Sequence, residues 1–387
     1  MASGGRVTSL SRLHFGRNWA ACRNYCRKFC TVRKHDVNSH RPFLCHPNSY
    51  CTFRTIKQHI LCSQHCGEAW LQPNSRPTST DQEHKSAVSS PYKLVAEDLS
   101  TLCNDIKKEL SPSPAELKLL SQYHFDGKGK AFRPMVVMLA AKACNIHYHQ
   151  HPTNNALLAS QRVVAFIAEM IHTASLIHDD VIDLAATRRG RPSVQEAWGQ
   201  RNAILAGNFI MSAACVALAR IRNTEVIKIL SQVLEDLVSG EFMQLGSKED
   251  EDERFNHYLQ KTYKKTASLL ANSCKAVAVL SGCDESSIEQ VYQYGRNIGI
   301  AFQLVDDLLD FISTEQLMGK PTAADLKLGL ATAPVLFAAH QSNGIAHTKF
   351  LAEQHSNEAI KQISMLFPSD ERNALITLTH NVLHRLK

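Results

Sequence analysis

Two aspartate-rich pentads carry the chemistry that this chain offers. One is Asp179-Asp180-Val181-Ile182-Asp183, the other Asp306-Asp307-Leu308-Leu309-Asp310. Both have the spacing D-D-x-x-D, and both follow long apolar, glycine-poor runs that read as helix. Residues four apart share a helix face. Asp179 therefore sides with Asp183, and Asp306 with Asp310. Two such faces set opposite each other hold carboxylates that repel one another until cations fill the space. Oxygen-only ligands select a hard ion, and Mg²⁺ takes a few carboxylates, waters and phosphate oxygens. The pattern implies a substrate carrying a diphosphate. One pentad alone could be a solvated helix end, since aspartate is favoured near N-termini. With 17 Asp in 387 residues, chance supplies about 0.03 copies per chain, so two copies favour a paired site.

Cations accompany the pentads. Gly129-Lys130-Ala131-Phe132-Arg133-Pro134 sets Lys130 and Arg133 three apart before a helix. Arg188 and Arg189 lie just past Asp183, and Lys265-Thr266 and Lys320 come later. Arginine offers a bidentate fork to a diphosphate and lysine a point charge. Singly, each is an ordinary surface residue; the weight lies in the ensemble.

Taken together these motifs resemble the trans-isoprenyl diphosphate synthases, over about residues 92–387. The matching stretches are Gly129–Pro134, the run Ile171-His172-Thr173-Ala174-Ser175-Leu176-Ile177-His178, Arg188-Arg189-Gly190, Lys265-Thr266, Phe302-Gln303 and Gly319-Lys320, besides the pentads. The stretches Gly240–Lys248 and Ala324–Thr332 are most similar to mitochondrial long-chain members, which make the ubiquinone side chain. The resemblance implies an all-α bundle that condenses isopentenyl diphosphate with an allylic diphosphate of farnesyl or geranylgeranyl type. It implies Mg²⁺ on Asp179, Asp183, Asp306 and Asp310, with Asp180 and Asp307 as catalytic members of the same pentads. Arg188 would contact the allylic diphosphate. Lys130, Arg133, His172 and Arg189 would hold isopentenyl diphosphate. Lys265, Gln303 and Lys320 would line the allylic side, with Thr266 and Gln303 aiming dipoles at the developing cation. Without the family, Thr266 and Gln303 are equally well ordinary helix packing, and His172 a satisfied core histidine.

Product length has a reading too. Ser175 and Ala174 lie four and five residues before Asp179, one turn below the metal site. In the family a bulky aromatic near this point stops elongation early. Both are small here, so a long product is expected. The implied partners are a second synthase subunit in a heteromer, specifically a heterotetramer, and a peripheral membrane contact. Two other functions are weighed. A class I terpene cyclase usually carries a second motif of Asn, Ser and Glu, unlike the second pentad here. A non-catalytic subunit of a heteromeric synthase usually loses pentad carboxylates.

The chain departs from the family pattern in four places. Leu184 replaces a further Asp after the first pentad, and Leu330 a second Lys of the later loop. Gly207-Asn208 stands for Gly-Asp, which is expected to remove one buried charge. After Gln341 the chain is short: Ser342-Asn343-Gly344 joins two helices directly, with an open cleft or uncovered apolar surface as the expected result.

The net charge of +7 belongs to the beginning of the chain. Residues 1–80 hold 12 Lys+Arg against Asp36 and Glu68, a net of +10, which leaves −3 for residues 81–387. Nucleic acid is therefore not an expected partner of the rest. Residues 1–90 read as a mitochondrial targeting segment and linker, arginine-rich, acid-poor and without a compact apolar run. The alternative is a basic arm on an organelle membrane or RNA. Seven of the 12 cysteines lie in that segment, without the paired spacing of zinc sites. Cys103, Cys144, Cys215, Cys274 and Cys283 read as buried thiols in a reducing compartment.

From residue 91 to 387 apolar residues recur at three and four, and no strand–turn–strand pattern or glycine-rich phosphate loop is evident. Helices are expected over 94–110, 115–123, 134–144, 155–180, 200–221, 226–245, 255–280, 286–311 and 331–339. The stretch Leu205–Ile221 is apolar on all sides but short for a membrane span and interrupted by Asn208, Ser212 and Arg220. It fits a central helix or a subunit interface.

Overall fold

The computed structural model describes residues 90–385, apart from 112–113, 128, 246–250, 313–331 and 342. The targeting segment, Lys320 and Leu330 lie outside the described residues. The elements are α1 Pro91–Leu94, α2 Ala96–Glu109, α3 Ala115–Gln122, α4 Phe132–His149 and α5 Ala159–Ile182. Then come β1 Thr187–Arg188, β2 Arg191–Pro192, α6 Val194–Trp198, α7 Gln200–Arg220 and α8 Thr224–Leu245. Next are α9 Glu251–Thr262, a π turn Tyr263–Ala267, α10 Ser268–Leu280 and α11 Glu285–Ile312. The order ends with α12 Ala333–Gln341, α13 Gly344–Ile363 and α14 Asp370–Leu383.

Each expected span holds a helix, the structure adds α6, α13 and α14 outside those spans, and two further features depart from the pattern. The expected helix over 255–280 is broken by the π turn, a widening that recurs at functional sites. A minimal hairpin also interrupts the helical pattern. Thr187 pairs with Pro192 and Arg188 with Arg191. Arg189 and Gly190 between them have φ of 53° and 73°, the doubly left-handed turn that matches strand twist. The hairpin is too short to leave a period in the sequence.

The core forms around α5, whose Ile167, Met170, Ile171, Ala174 and Ile177 are buried against α4, α7 and α10. Close approach sets the geometry at two glycines. A Cβ on Gly299 of α11 would lie 2.7 Å from Ala267 Cα, so glycine alone lets α11 seat against the π turn. A Cβ on Gly207 would lie 2.3 Å from His178 Nε2, so α7 lies directly on the end of α5.

Among the described residues α7 is the one helix long and apolar enough to cross a membrane. It is instead half of a packed pair. Ala203, Ala206, Ile210, Ala214 and Ala217 are buried, while Ile204, Leu205 and Val216 on the outer face are about half exposed. Asn208 is on that outer face, so no buried charge is at stake there. Cys215 is exposed too, contrary to the expectation of a buried thiol; Cys144 and Cys274 are buried. The short junction after Gln341 does not strip α11. The helix α13 packs along it, burying Ala352, Ala359 and Ile363, and Tyr294 of α11 is fully enclosed.

Candidate active site

The entry to α4 gathers the cations. Ala131 caps the helix with φ of 45°, and Pro134 falls in the first turn, where a missing N–H breaks no helical bond. The sharp entry brings Lys130 and Arg133 into a cavity of about 570 Å³, together with His172, Arg188 and Arg189. Phe132 and Phe302 stack 5.2 Å apart on its apolar side. All five diphosphate-binding candidates in that group therefore meet in one place.

Arg133 is half-buried, and burial lowers its pKa against the pull of Glu169 and Asp306. Its Nη1 lies 3.0 Å from His172 Nε2. Arginine can only donate, so Nε2 accepts and the ring carries its proton on Nδ1. Burial first, then Arg133, Arg189 and Arg188, hold the His172 pKa well below its usual value. Glu169, one turn earlier on α5, was not singled out from sequence. It is the carboxylate among these arginines, raised by burial and pulled down by Arg133 and Arg189. Its i−3 spacing from His172 is the signal that could have found it.

The first pentad divides by face. Asp180 is 1% exposed and accepts from Arg188 Nε at 2.9 Å and from Arg188 Nη2. Asp179 is half-buried and Asp183 exposed. Burial raises the Asp179 pKa to about 6; Lys265 opposes this, while Glu241 and Asp183 add to it. Asp183 is raised too, by burial first, with Glu241 and Asp180 adding and Lys265 and Arg188 opposing. Lys265 Nζ is 2.6 Å from Glu241 and donates to Gln244 Oε1 at 3.0 Å. Gly240 of α8 permits that approach, since its Cβ would stand 3.0 Å from Lys265 N.

The second pentad divides in the same way. Asp307 is buried and accepts from Tyr258 Oη at 2.6 Å, Gln303 Nε2 at 2.8 Å and Ala333 N at 3.4 Å. Asp306 and Asp310 are half-buried. Arg385, beyond α14, donates to Asp306 Oδ1 and to Phe302 O, each at 2.6 Å, with its guanidinium 3.8 Å over the Phe302 ring. Arg385 also lines the basic cavity. Nothing in its local sequence marks it, because the contact spans 79 residues.

The π turn joins the two halves. Lys265 acts on Asp179, and the next residue, Thr266, donates to Gln303 Oε1 at 2.8 Å. The Gln303 amide is thus held at both ends, by Thr266 and by Asp307. Ala174 is enclosed in the core, and Ser175 is half-buried with its hydroxyl on His172 O at 2.9 Å. Among the described residues no three carboxylate, imidazole or thiol groups converge as a ready-made cage. The carboxylates still suit Mg²⁺. Asp179 and Asp183 raise each other's charge cost, which a divalent ion relieves, and Mg²⁺ habitually leaves several positions to water and phosphate.

Residues 114–366 match the polyprenyl synthetase family. The human all-trans-polyprenyl-diphosphate synthase PDSS1 is 57% identical over 325 residues, covering 77% of each chain. Solanesyl-diphosphate synthase 1, mitochondrial, of Oryza sativa subsp. japonica is 40% identical over 339 residues, covering 77% of this chain and 79% of its own. A polyprenyl synthase of Caulobacter crescentus, crystallised with calcium and isoprenyl diphosphate, superposes with a TM-score of 0.70 at 26% identity. It covers 78% of this chain and 98% of its own. A decaprenyl diphosphate synthase of Rhodobacter capsulatus gives a TM-score of 0.67 at 25% identity, covering 77% and 98%. The chain belongs to the polyprenyl synthetase family.

Proposed function

We propose that the chain elongates an allylic diphosphate with isopentenyl diphosphate to a long all-trans polyprenyl diphosphate, in the mitochondrion, for the ubiquinone side chain. One observation carries the assignment of roles. Lys265 acts on Asp179 of the first pentad, and the next residue, Thr266, is bonded to Gln303, which is bonded to Asp307 of the second, so the π turn links the two pentads beside one basic cavity.

Lys130, Arg133, His172 and Arg189 anchor isopentenyl diphosphate in that cavity. Asp179, Asp183, Asp306 and Asp310 would hold Mg²⁺, which when bound would supply Lewis-acid neutralisation of the leaving allylic diphosphate. Lys265 serves the allylic side, where Lys320 is expected from its motif, and Arg188, bonded to Asp180 and lining the basic cavity, stands between the two diphosphates and can turn to either. The allylic C–O bond breaks, the alkene of isopentenyl diphosphate closes the new C–C bond, and a proton leaves to the departed diphosphate. The chain's own part is fixed charge, orientation and exclusion of water. Ser175, small and half-buried, leaves the wall below Asp179 open to a growing chain, while Ala174 is enclosed in the core.

The outer face of α7 suits a second synthase subunit, since Ile204, Leu205 and Val216 are apolar and open. A greasy product also suits release at a membrane surface. The alignment with the human relative runs over 325 positions but takes up 77% of the 387 residues, about 298, so roughly 27 of its positions have no counterpart in this chain, a total that an internal shortening such as the one expected after Gln341 would account for.

The test uses the full chain, labelled isopentenyl diphosphate and a farnesyl or geranylgeranyl primer, with and without a candidate second subunit. Mg²⁺ should give a long labelled polyprenyl diphosphate, and EDTA should abolish turnover while isopentenyl diphosphate still binds. No elongation under any of these conditions would sink the reading.

A further inference from the structure

Besides Arg385 Nε, two buried polar atoms beside the basic cavity have no hydrogen-bond partner. One is Asp180 Oδ2 and the other His124 Nε2. A bare buried atom of this kind carries an uncompensated desolvation cost, and it calls for a state in which it is satisfied.

His124 follows α3 and lies under the hairpin. Its neighbour Tyr123 donates to Pro192 O at 3.1 Å, and the Arg191 guanidinium stands 4.3 Å over the Tyr123 ring. Burial first, then Arg189, lower the His124 pKa to about 4; Asp180 opposes, and Arg188 and Arg191 add to the lowering. On its own segment, Asp126 is already paired with Arg191 at 2.7 Å. From α5, Glu169 and His172 line the same cavity, as do Lys130 before α4 and Arg385 after α14. The ring is therefore neutral while the cavity holds no anion.

Arg188 spends its Nε and Nη2 on a single oxygen, Asp180 Oδ1. A diphosphate in the cavity draws that guanidinium toward itself. A buried carboxylate left without its partner is strongly destabilising unless another donor replaces the one withdrawn. The same anion reverses the field at His124, where three guanidiniums had opposed protonation.

We propose that His124 is a positioning residue, supplying the replacement partner that lets Arg188 leave Asp180 for the incoming diphosphate. The proposal rests on the cavity being the diphosphate site assigned above. As Arg188 turns, His124 takes one proton from solvent and Nε2–H donates to Asp180 Oδ2. The proton returns to solvent when the diphosphate leaves, and no covalent bond changes. Affinity rises as pH falls from the bound-state pKa of His124 toward its free value.

The experiment is calorimetric titration of the full chain with isopentenyl diphosphate in EDTA, at several pH values, in two buffers of different ionisation enthalpy. His124→Gln and Asp180→Asn are run beside the wild type. The ligand's own protonation is common to all three. The wild type should take up more protons than His124→Gln, by up to one per site. Its affinity should fall more steeply with rising pH, by up to about tenfold per unit. Asp180→Asn should remove the same difference. A merely structural His124 would lower affinity equally at every pH, so equal uptake and parallel profiles would overturn the proposal. A ¹³C-histidine resonance that moves to the imidazolium position on binding reads the same event in the unmutated chain, should the variants not fold. Failure of the wild type to bind isopentenyl diphosphate would remove the cavity assignment and this role with it. Binding with unchanged proton uptake would remove the role alone.

Discussion

Tyr258 donates a 2.6 Å hydrogen bond to Asp307, whose side chain is 3% exposed. Asp180, the same position of the other pentad, is 1% exposed and held by Arg188. The second aspartate of each pentad is thus an internal anchor, and the first and fifth are left for the cleft. Tyr258→Phe should cost about 1.5–3 kcal/mol, the worth of a bond to a charged group, in denaturant unfolding, with turnover largely kept. Asp306→Ala should do the reverse, abolishing turnover at a smaller cost in stability. Similar turnover losses in both variants would show that the two faces are not divided by role.

Asp179 gives the metal-free protein a pH signature. Its folded pKa of about 6 is above the unfolded value of 3.8, so the folded state binds the extra proton between those values. Stability contributed this way is intact below about pH 4 and lost as pH rises through 6. In EDTA, Asp179→Asn should raise unfolding stability by about 2 kcal/mol at pH 8, after allowance for screening, and by nothing at pH 4. Equal gains at both pH values would show that the carboxylate is not strained.

The two diphosphates should separate kinetically. Lys130→Ala should raise KM for isopentenyl diphosphate by about 10- to 100-fold, the loss of one charge-assisted contact, with a smaller effect on the allylic primer. Arg133→Ala should act in the same sense but also lower the melting temperature, because half-buried Arg133 is bonded to His172. Equal changes in both KM values would mean that the two subsites are misassigned.

Product length is best tested at Ser175. Ala174 is enclosed in the core, so Ala174→Phe adds an overpacking cost of about 1–3 kcal/mol that blurs its effect on products. Half-buried Ser175 has room on one side. Both Phe variants should shorten the chains seen by chromatography, Ser175→Phe with the smaller loss of stability. An unchanged distribution would place the floor of the pocket elsewhere, on the partner subunit included.

The outer face of α7 should govern assembly. Leu205→Glu should leave the helical content unchanged, since Leu205 is about half exposed, yet weaken association with a second subunit in sedimentation. Unaltered assembly would exclude this face.

The helices were legible because apolar residues at three and four are dictated by burial of one stripe. The hairpin at 187–192 and the π turn at 263–267 were not, because elements of two to five residues are set by what packs on them. The site was legible in the same proportion. Lys130, Arg133, His172, Arg188 and Arg189 could be named from local motifs and do share one cavity. Glu169, His124 and Arg385 could not, since their meaning comes from charges brought near them by other helices.

By itself the sequence determined an all-α chain with two carboxylate pentads and a set of cations suited to a diphosphate. Those follow from residue type and helical spacing, which are local. Tertiary structure alone decided which aspartates are anchors and which are open, that Gln303 is held between Thr266 and Asp307, and that Arg385 closes on Asp306. The physical reason is that a carboxylate's role depends on its burial and its partners. For Asp307 those partners come from α9, α11 and the start of α12, segments that only the packed bundle brings together.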